Sequence, residues 1–191
     1  MITFPNAKIN LGLQVISKRP DGYHNIETVF YPVPVFDILE IVEAQETSLF
    51  LTGVDIPDSG DNLCMRVYRM LNQDFDLPPI HIHLHKNIPV GAGLGGGSSD
   101  ASFLIKLINN YFNLEMNAEQ MRSYAGKLGA DCAFFIGNKS AFAGGIGDEF
   151  SEVDVDLSAY TLVIVKPPIH INTAVAFKGI APRGKIGRAH V

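Results

Sequence analysis

The chain has 191 residues, 47% hydrophobic and 18% charged, with a formal net charge of −5. That composition argues against disorder, gives no global attraction for nucleic acid, and suits one domain or one domain plus part of another. Cys64 and Cys132 lie far apart without ligand spacing, which speaks against a disulfide scaffold and fits a reducing, cytoplasmic compartment. No basic, apolar leader and no run of about 18 apolar residues is found, so neither a signal peptide nor a membrane span is expected.

Residues 9–16 read as a strand with Ile9, Leu11, Leu13 and Val15 on one face. Residues 17–24 hold Pro20 and Gly22 and predict a loop or hairpin tip. Strands follow at 27–35, 36–42 and 48–51. Asp61 is a candidate cap for a helix whose apolar face is Leu63, Val67, Met70 and Leu71. Residues 80–85 alternate strictly and predict a strand.

After the glycine-rich segment, Ser98 or Ser99 is expected to cap a helix that places Ala101, Leu104, Ile105, Ile108, Tyr111 and Phe112 at helical spacing. Asn117 and Gln120 form a capping-box pattern for another helix, with Met121, Tyr124, Ala125 and Leu128 inside and Gly129 as its stop. Late strands are expected at 140–143 and 160–165. Strands, then helices, then strands indicate an α+β fold.

His81, His83 and His85 share one face of the 80–85 strand, so a metal site is conceivable there. An exposed polar face opposite a buried apolar one is the favoured reading.

The glycine segment is the main functional signal. Pro89-Val90-Gly91-Ala92-Gly93-Leu94-Gly95-Gly96-Gly97-Ser98-Ser99-Asp100 puts its glycines directly before a helix start. There, main-chain N–H groups and the helix dipole favour an anion such as a polyphosphate. A P-loop is excluded, because no lysine follows the glycines. Gly91, Gly93 and Gly96 do satisfy G-x-G-x-x-G, with Glu115 about twenty residues on, as in dinucleotide folds. Against this, four residues separate the preceding strand from the first glycine, and the first half of the chain is rich in strands. A plain flexible hinge is the remaining alternative.

PVGAGLGGGSSDAS resembles the ATP-binding motif of the GHMP kinases. Three further segments resemble that family in order: Pro5-Asn6-Ala7-Lys8-Ile9-Asn10-Leu11, Asp21-Gly22-Tyr23-His24, and Leu128-Gly129-Ala130-Asp131-Cys132. As a set they resemble the branch that phosphorylates the 2-hydroxyl of a cytidyl diphosphate methylerythritol in isoprenoid precursor synthesis. The resemblance runs from Thr3 to about Arg183. It implies a GHMP N-terminal domain (ribosomal protein S5 domain 2-like) at 1–155. The start of a ferredoxin-like substrate domain would occupy 156–183, with most of that second domain missing. ATP and Mg2+ are the implied cofactors, in a monomer or weak homodimer.

Lys8 and Asp131 are the implied catalytic pair. A carboxylate beside an ammonium stays ionised and can accept the proton of an attacking hydroxyl. The bland alternatives are a solvated lysine and a helix-capping aspartate. Asn10 is implied to contact the substrate, and Tyr23 and His24 to recognise cytosine by stacking and edge contacts. Thr173 and Phe177 are implied as a polar contact and a second stacking ring. Around ATP, the resemblance implies residues 89–99 together with Asn62 and Lys86; Asn62 could equally cap a helix. Ser98 and Ser99 would meet phosphates, or Mg2+ through a hydroxyl. No acidic metal ligand is evident.

Ala92 stands where a glycine is common, and Asp100 reads as unremarkable. Residues 184–191 are expected to be a non-native tail, because IGRAHV resembles a translated sequencing adapter. Other GHMP kinases (homoserine or mevalonate type), or a non-catalytic nucleotide-binding module, are the competing readings.

Overall fold

A computed structural model of the chain describes residues 1–54, 61–167 and 179–180. Thr173, Phe177 and the expected tail lie outside the described residues. Two compact units are present: residues 1–9 with 32–139, and residues 10–31 with 140–191. The boundary expected near residue 155 falls within the second unit.

The first unit holds a four-stranded sheet in the order β1-β4-β6-β5, built from β1 (Ile2–Thr3), β4 (Ile38–Glu43), β5 (Ser48–Gly53) and β6 (Ile80–Lys86). β4 and β6 are antiparallel, whereas β5 and β6 are parallel and joined through α1 (Leu63–Phe75). In β6 the isoleucines and Leu84 face inward, as strict alternation demands. They pack with Leu39 and Ile41 against Val67 and Leu71 of α1 and Leu104, Ile105 and Ile108 of α2 (Gly96–Tyr111). Burying such side chains contributes roughly 1.5–3 kcal/mol each, so α2 is anchored along its length and its N-terminus is held in place.

The histidines of β6 take the opposite face. Phe50 stacks on His83 with centroids 4.8 Å apart, and Thr52 Oγ1 lies 2.9 Å from His85 Nδ1. The described residues contain no group of three or more His, Cys, Asp or Glu side chains placed to hold a metal ion.

The expected capping box is present: Asn117 and Gln120 exchange hydrogen bonds at the start of α3 (Ala118–Gly126). Two expected caps are corrected. Asn62, not Asp61, caps α1, accepting from the Cys64 N–H at 2.8 Å; Asp61 pairs instead with Arg66 and Arg69. Neither Ser98 nor Ser99 caps α2, whose N-cap is Gly95 at φ +71°, because only a residue at ease in the left-handed region can make that entry. α3 also stops short of Gly129, with Lys127 as its C-cap. A short helix, α4 (Cys132–Gly137), follows.

The second unit is a sheet of residues from β2 (Asn6–Lys18), β3 (His24–Phe36), β7 (Ala141–Gly144) and β8 (Glu149–Glu152), in that order. β3 pairs antiparallel with β7, and β7 with β8. The turn between β2 and β3 is closed by Arg19 N–H to Tyr23 O at 2.8 Å. The expected single apolar face of β2 does not hold: Leu13 is half exposed, because Gly12 at φ +70° interrupts the alternation. Residues 160–165 form no strand, and Val163 and Val165 are exposed. No strand among the described residues pairs with them to give a ladder. No helix among the described residues is long and apolar enough to cross a membrane.

Candidate functional site

The glycine segment leaves β6 and enters α2 as a loop with Gly91, Gly93 and Gly95 all at positive φ, between +67° and +74°. Ala92 is not among the positive-φ residues, which is why alanine fits there. Gly95 is required twice over. A Cβ there would sit 2.9 Å from the Phe135 ring and 3.1 Å from Lys8 Cγ, besides being strained by its φ. A cavity of about 350 Å³ opens over the loop. Residues 89–98 line it, together with Asn62, Cys64, Lys86 and Asp100. Every expected ATP residue except Ser99 is therefore part of its wall. Ser99 is fully buried on the inner side of α2, and its N–H donates to Gly95 O at 2.8 Å.

Lys8 and Asp131 meet beside this loop. Lys8 Nζ and Asp131 Oδ2 are 3.2 Å apart, with the lysine side chain 6% exposed and the aspartate 35%. Neither bland reading of the pair survives. Lys8 is not a solvated strand residue, and Asp131, although it precedes α4, makes no side-chain cap bond to it. The main-chain N–H of Lys8 donates to Leu94 O at 2.9 Å, which ties the strand to the glycine loop. The carboxylate is thus partly exposed and held by an ammonium whose own residue is bonded to the loop.

A second lysine cluster lies beneath the loop. Lys86 Nζ donates to Asp37 Oδ2 and, at 2.6 Å, to Asp100 Oδ2, with all three side chains almost wholly buried. Burial opposes the charge of Lys86, but Asp100 and Asp37 outweigh it and leave the amine above its usual pKa. Burial likewise pushes the Asp100 carboxyl up to about 7, against the pull of Lys86. Burial also raises the Cys64 thiol well above its usual value, keeping that wall residue neutral.

Asp37 was not legible as a site residue. Its only signal is a lone carboxylate between two apolar strands, in Phe36-Asp37-Ile38. Asp100, which read as unremarkable, proves to be a buried member of this cluster.

The remaining candidates belong to the second unit. Asn10 Nδ2 donates to Thr28 Oγ1 at 3.2 Å. At the hairpin tip Tyr23 is 61% exposed while His24 is buried. Asp21 holds the turn by accepting from the Tyr23 N–H at 3.0 Å. This bond is the main reason its carboxyl lies below the usual range.

Residues 62–139 match the GHMP kinases N terminal domain. A protein of Bacteroides fragilis named 4-diphosphocytidyl-2-C-methyl-D-erythritol kinase is 54% identical over 187 residues, which cover 95% of this chain and 68% of the relative. One of the same name from Cytophaga hutchinsonii is 53% identical over 184 residues, with the same coverage. Among solved structures, a 4-(cytidine 5'-diphospho)-2C-methyl-D-erythritol kinase superposes with a TM-score of 0.70 at 32% identity, covering 82% of this chain and 56% of that one. A mevalonate kinase of Methanococcus jannaschii, at 15% identity and a TM-score of 0.60, shares the fold.

Proposed function

The chain belongs to the 4-diphosphocytidyl-2-C-methyl-D-erythritol kinase family of GHMP kinases, and from that premise we propose that it transfers the γ-phosphoryl of ATP to the 2-hydroxyl of the cytidyl alcohol. The observation that carries this reading is the Lys8–Asp131 pair, 3.2 Å apart, with Lys8 hydrogen-bonded through its main chain to the glycine loop.

Phosphoryl transfer asks chiefly for positioning and charge stabilisation. The loop's left-handed glycines expose main chain to the cavity, and the N-terminus of α2 favours the phosphates. Asp131 accepts the proton of the acceptor hydroxyl as the oxygen attacks phosphorus, and ADP leaves. Lys8 orients Asp131 and offsets the negative charge developing beside it. Tyr23, exposed at the hairpin tip, offers a ring face to the cytosine. Asn10 and His24 are assigned to the same substrate.

The described residues offer no carboxylate cage for a metal. Mg2+ would arrive with the nucleotide, held largely by phosphate oxygens and water, and would offset their charge. The chain spans 68% of the Bacteroides fragilis relative's length.

ADP release from ATP, Mg2+ and the cytidyl alcohol tests it. Formation of the 2-phosphate, with inhibition by CDP, is expected. Turnover of mevalonate or homoserine instead, or nucleotide binding without turnover of any alcohol, would overturn the assignment.

A further inference from the structure

Lys86 is shared by two carboxylates with unequal partners. Asp37 is fully buried and accepts from Lys86 through Oδ2. Through Oδ1 it accepts from the main-chain N–H of Asn87 at 2.6 Å and of Ile88 at 2.9 Å. It therefore fixes both the ammonium and the two residues that lead into the glycine loop. Its own N–H donates to Pro5 O at 2.8 Å, so the aspartate is itself held. Among the described residues Asp100 accepts from Lys86 alone, and its buried Oδ1 has no hydrogen-bond partner there. The ammonium lies close under the start of α2, since a Cβ on Gly96 would stand 3.1 Å from Lys86 Nζ.

Two carboxylates share one ammonium, but only Asp37 also reaches the main chain that leads into the loop. Charge-assisted bonds to main-chain N–H groups are strong and directional. The two aspartates are therefore not interchangeable.

Resting on the kinase reading above, we propose that Asp37 is a positioning residue of the ATP site. It sets the start of the glycine loop through Lys86 and the amides of Asn87 and Ile88. Asp100 shares the ammonium but gives the loop no main-chain bond, so it does not set the loop. Neither side chain touches the reacting atoms; Asp37 acts through the loop.

The test is titration of a non-hydrolysable ATP analogue into the full chain and its Asp37→Asn, Asp37→Ala and Asp100→Asn variants. Melting temperatures and the KM values for ATP and the cytidyl alcohol are measured alongside. Nucleotide affinity is expected to fall in the order wild type, Asp37→Asn, Asp37→Ala, by about ten-fold or more for alanine. The KM for ATP should follow, while that for the alcohol stays within about two-fold. Asp100→Asn is expected to weaken nucleotide binding by clearly less than Asp37→Asn, since Asp100 makes no main-chain bond to the loop.

Parallel weakening in Asp37→Asn and Asp100→Asn, in step with their melting temperatures, would overturn the proposal and leave the cluster a structural plug. Unchanged affinity in Asp37→Asn would overturn it equally. If Asp37→Ala does not fold, the two asparagine variants decide. A wild-type chain that binds no nucleotide would overturn the kinase reading itself. Wild-type binding with indifferent variants would overturn only the role of Asp37.

Discussion

Two lysine–aspartate clusters flank the same glycine loop, and they differ in exposure. In the first, Lys8 is buried but Asp131 keeps about a third of its side chain in solvent, at 35%. In the second, Asp37, Lys86 and Asp100 are all sealed, none above 4%. The same residue types thus serve two ends. A partly exposed carboxylate oriented by a buried ammonium can meet a substrate; an almost wholly buried one serves mainly to hold its neighbours. Exposure, not residue identity, separates the proposed catalytic pair from the cluster that holds the loop.

The sharpest break of that comparison is Asp131→Asn. Turnover should fall by about 10²–10⁴-fold, the range of a lost general base, while nucleotide affinity barely moves. Steady-state kinetics with parallel nucleotide titration checks this.

Exchanging the lysines comes next. Lys86→Met leaves two buried carboxylates without a cation and should destabilise by about 3–5 kcal/mol. Lys8→Met leaves a partly solvated Asp131, so its stability loss should stay below about 1 kcal/mol while activity collapses. Urea unfolding measures both, and equal losses would erase the distinction.

Gly95→Ala strains the left-handed N-cap and drives a methyl toward the Phe135 ring. A loss of about 2 kcal/mol is expected, with weaker nucleotide binding. Retained affinity would show that the loop's shape is not what binds phosphate.

The smallest effect is on pH. The folded chain keeps a proton on Asp100 that the unfolded chain releases, since burial raises the carboxyl from 3.8 to about 7. Stability from this group is therefore full at acid pH and lost as pH rises through that window. Melting temperature should fall by a few degrees from about pH 5 to about pH 8, and Asp100→Asn should flatten the slope.

Local chemistry was the legible part of the sequence. The alternation of β6, the Asn117–Gln120 box and the glycine segment each carry their signal within a few residues. The Lys8–Asp131 pair spans 123 positions by residue number; spacing could not bring it together, and a motif resemblance did. Asp37 could not be found at all. Its partners Lys86, Asn87 and Ile88 lie about fifty residues away, with |i−j| of 49 to 51. What recruits it is burial, which has no local pattern. The misplaced caps have a simpler cause. Ser98 and Ser99 suit an N-cap by type, but Gly95 supplies a backbone turn that no serine adopts readily.

A crystal structure of the chain with a non-hydrolysable ATP analogue tests the central claim most directly. The account predicts phosphates on the main chain of residues 91–98, with the terminal group facing Lys8 Nζ at hydrogen-bond or near-attack range, roughly 3–4 Å. Phosphates bound elsewhere, or a terminal group turned away from Lys8 and Asp131, would contradict it.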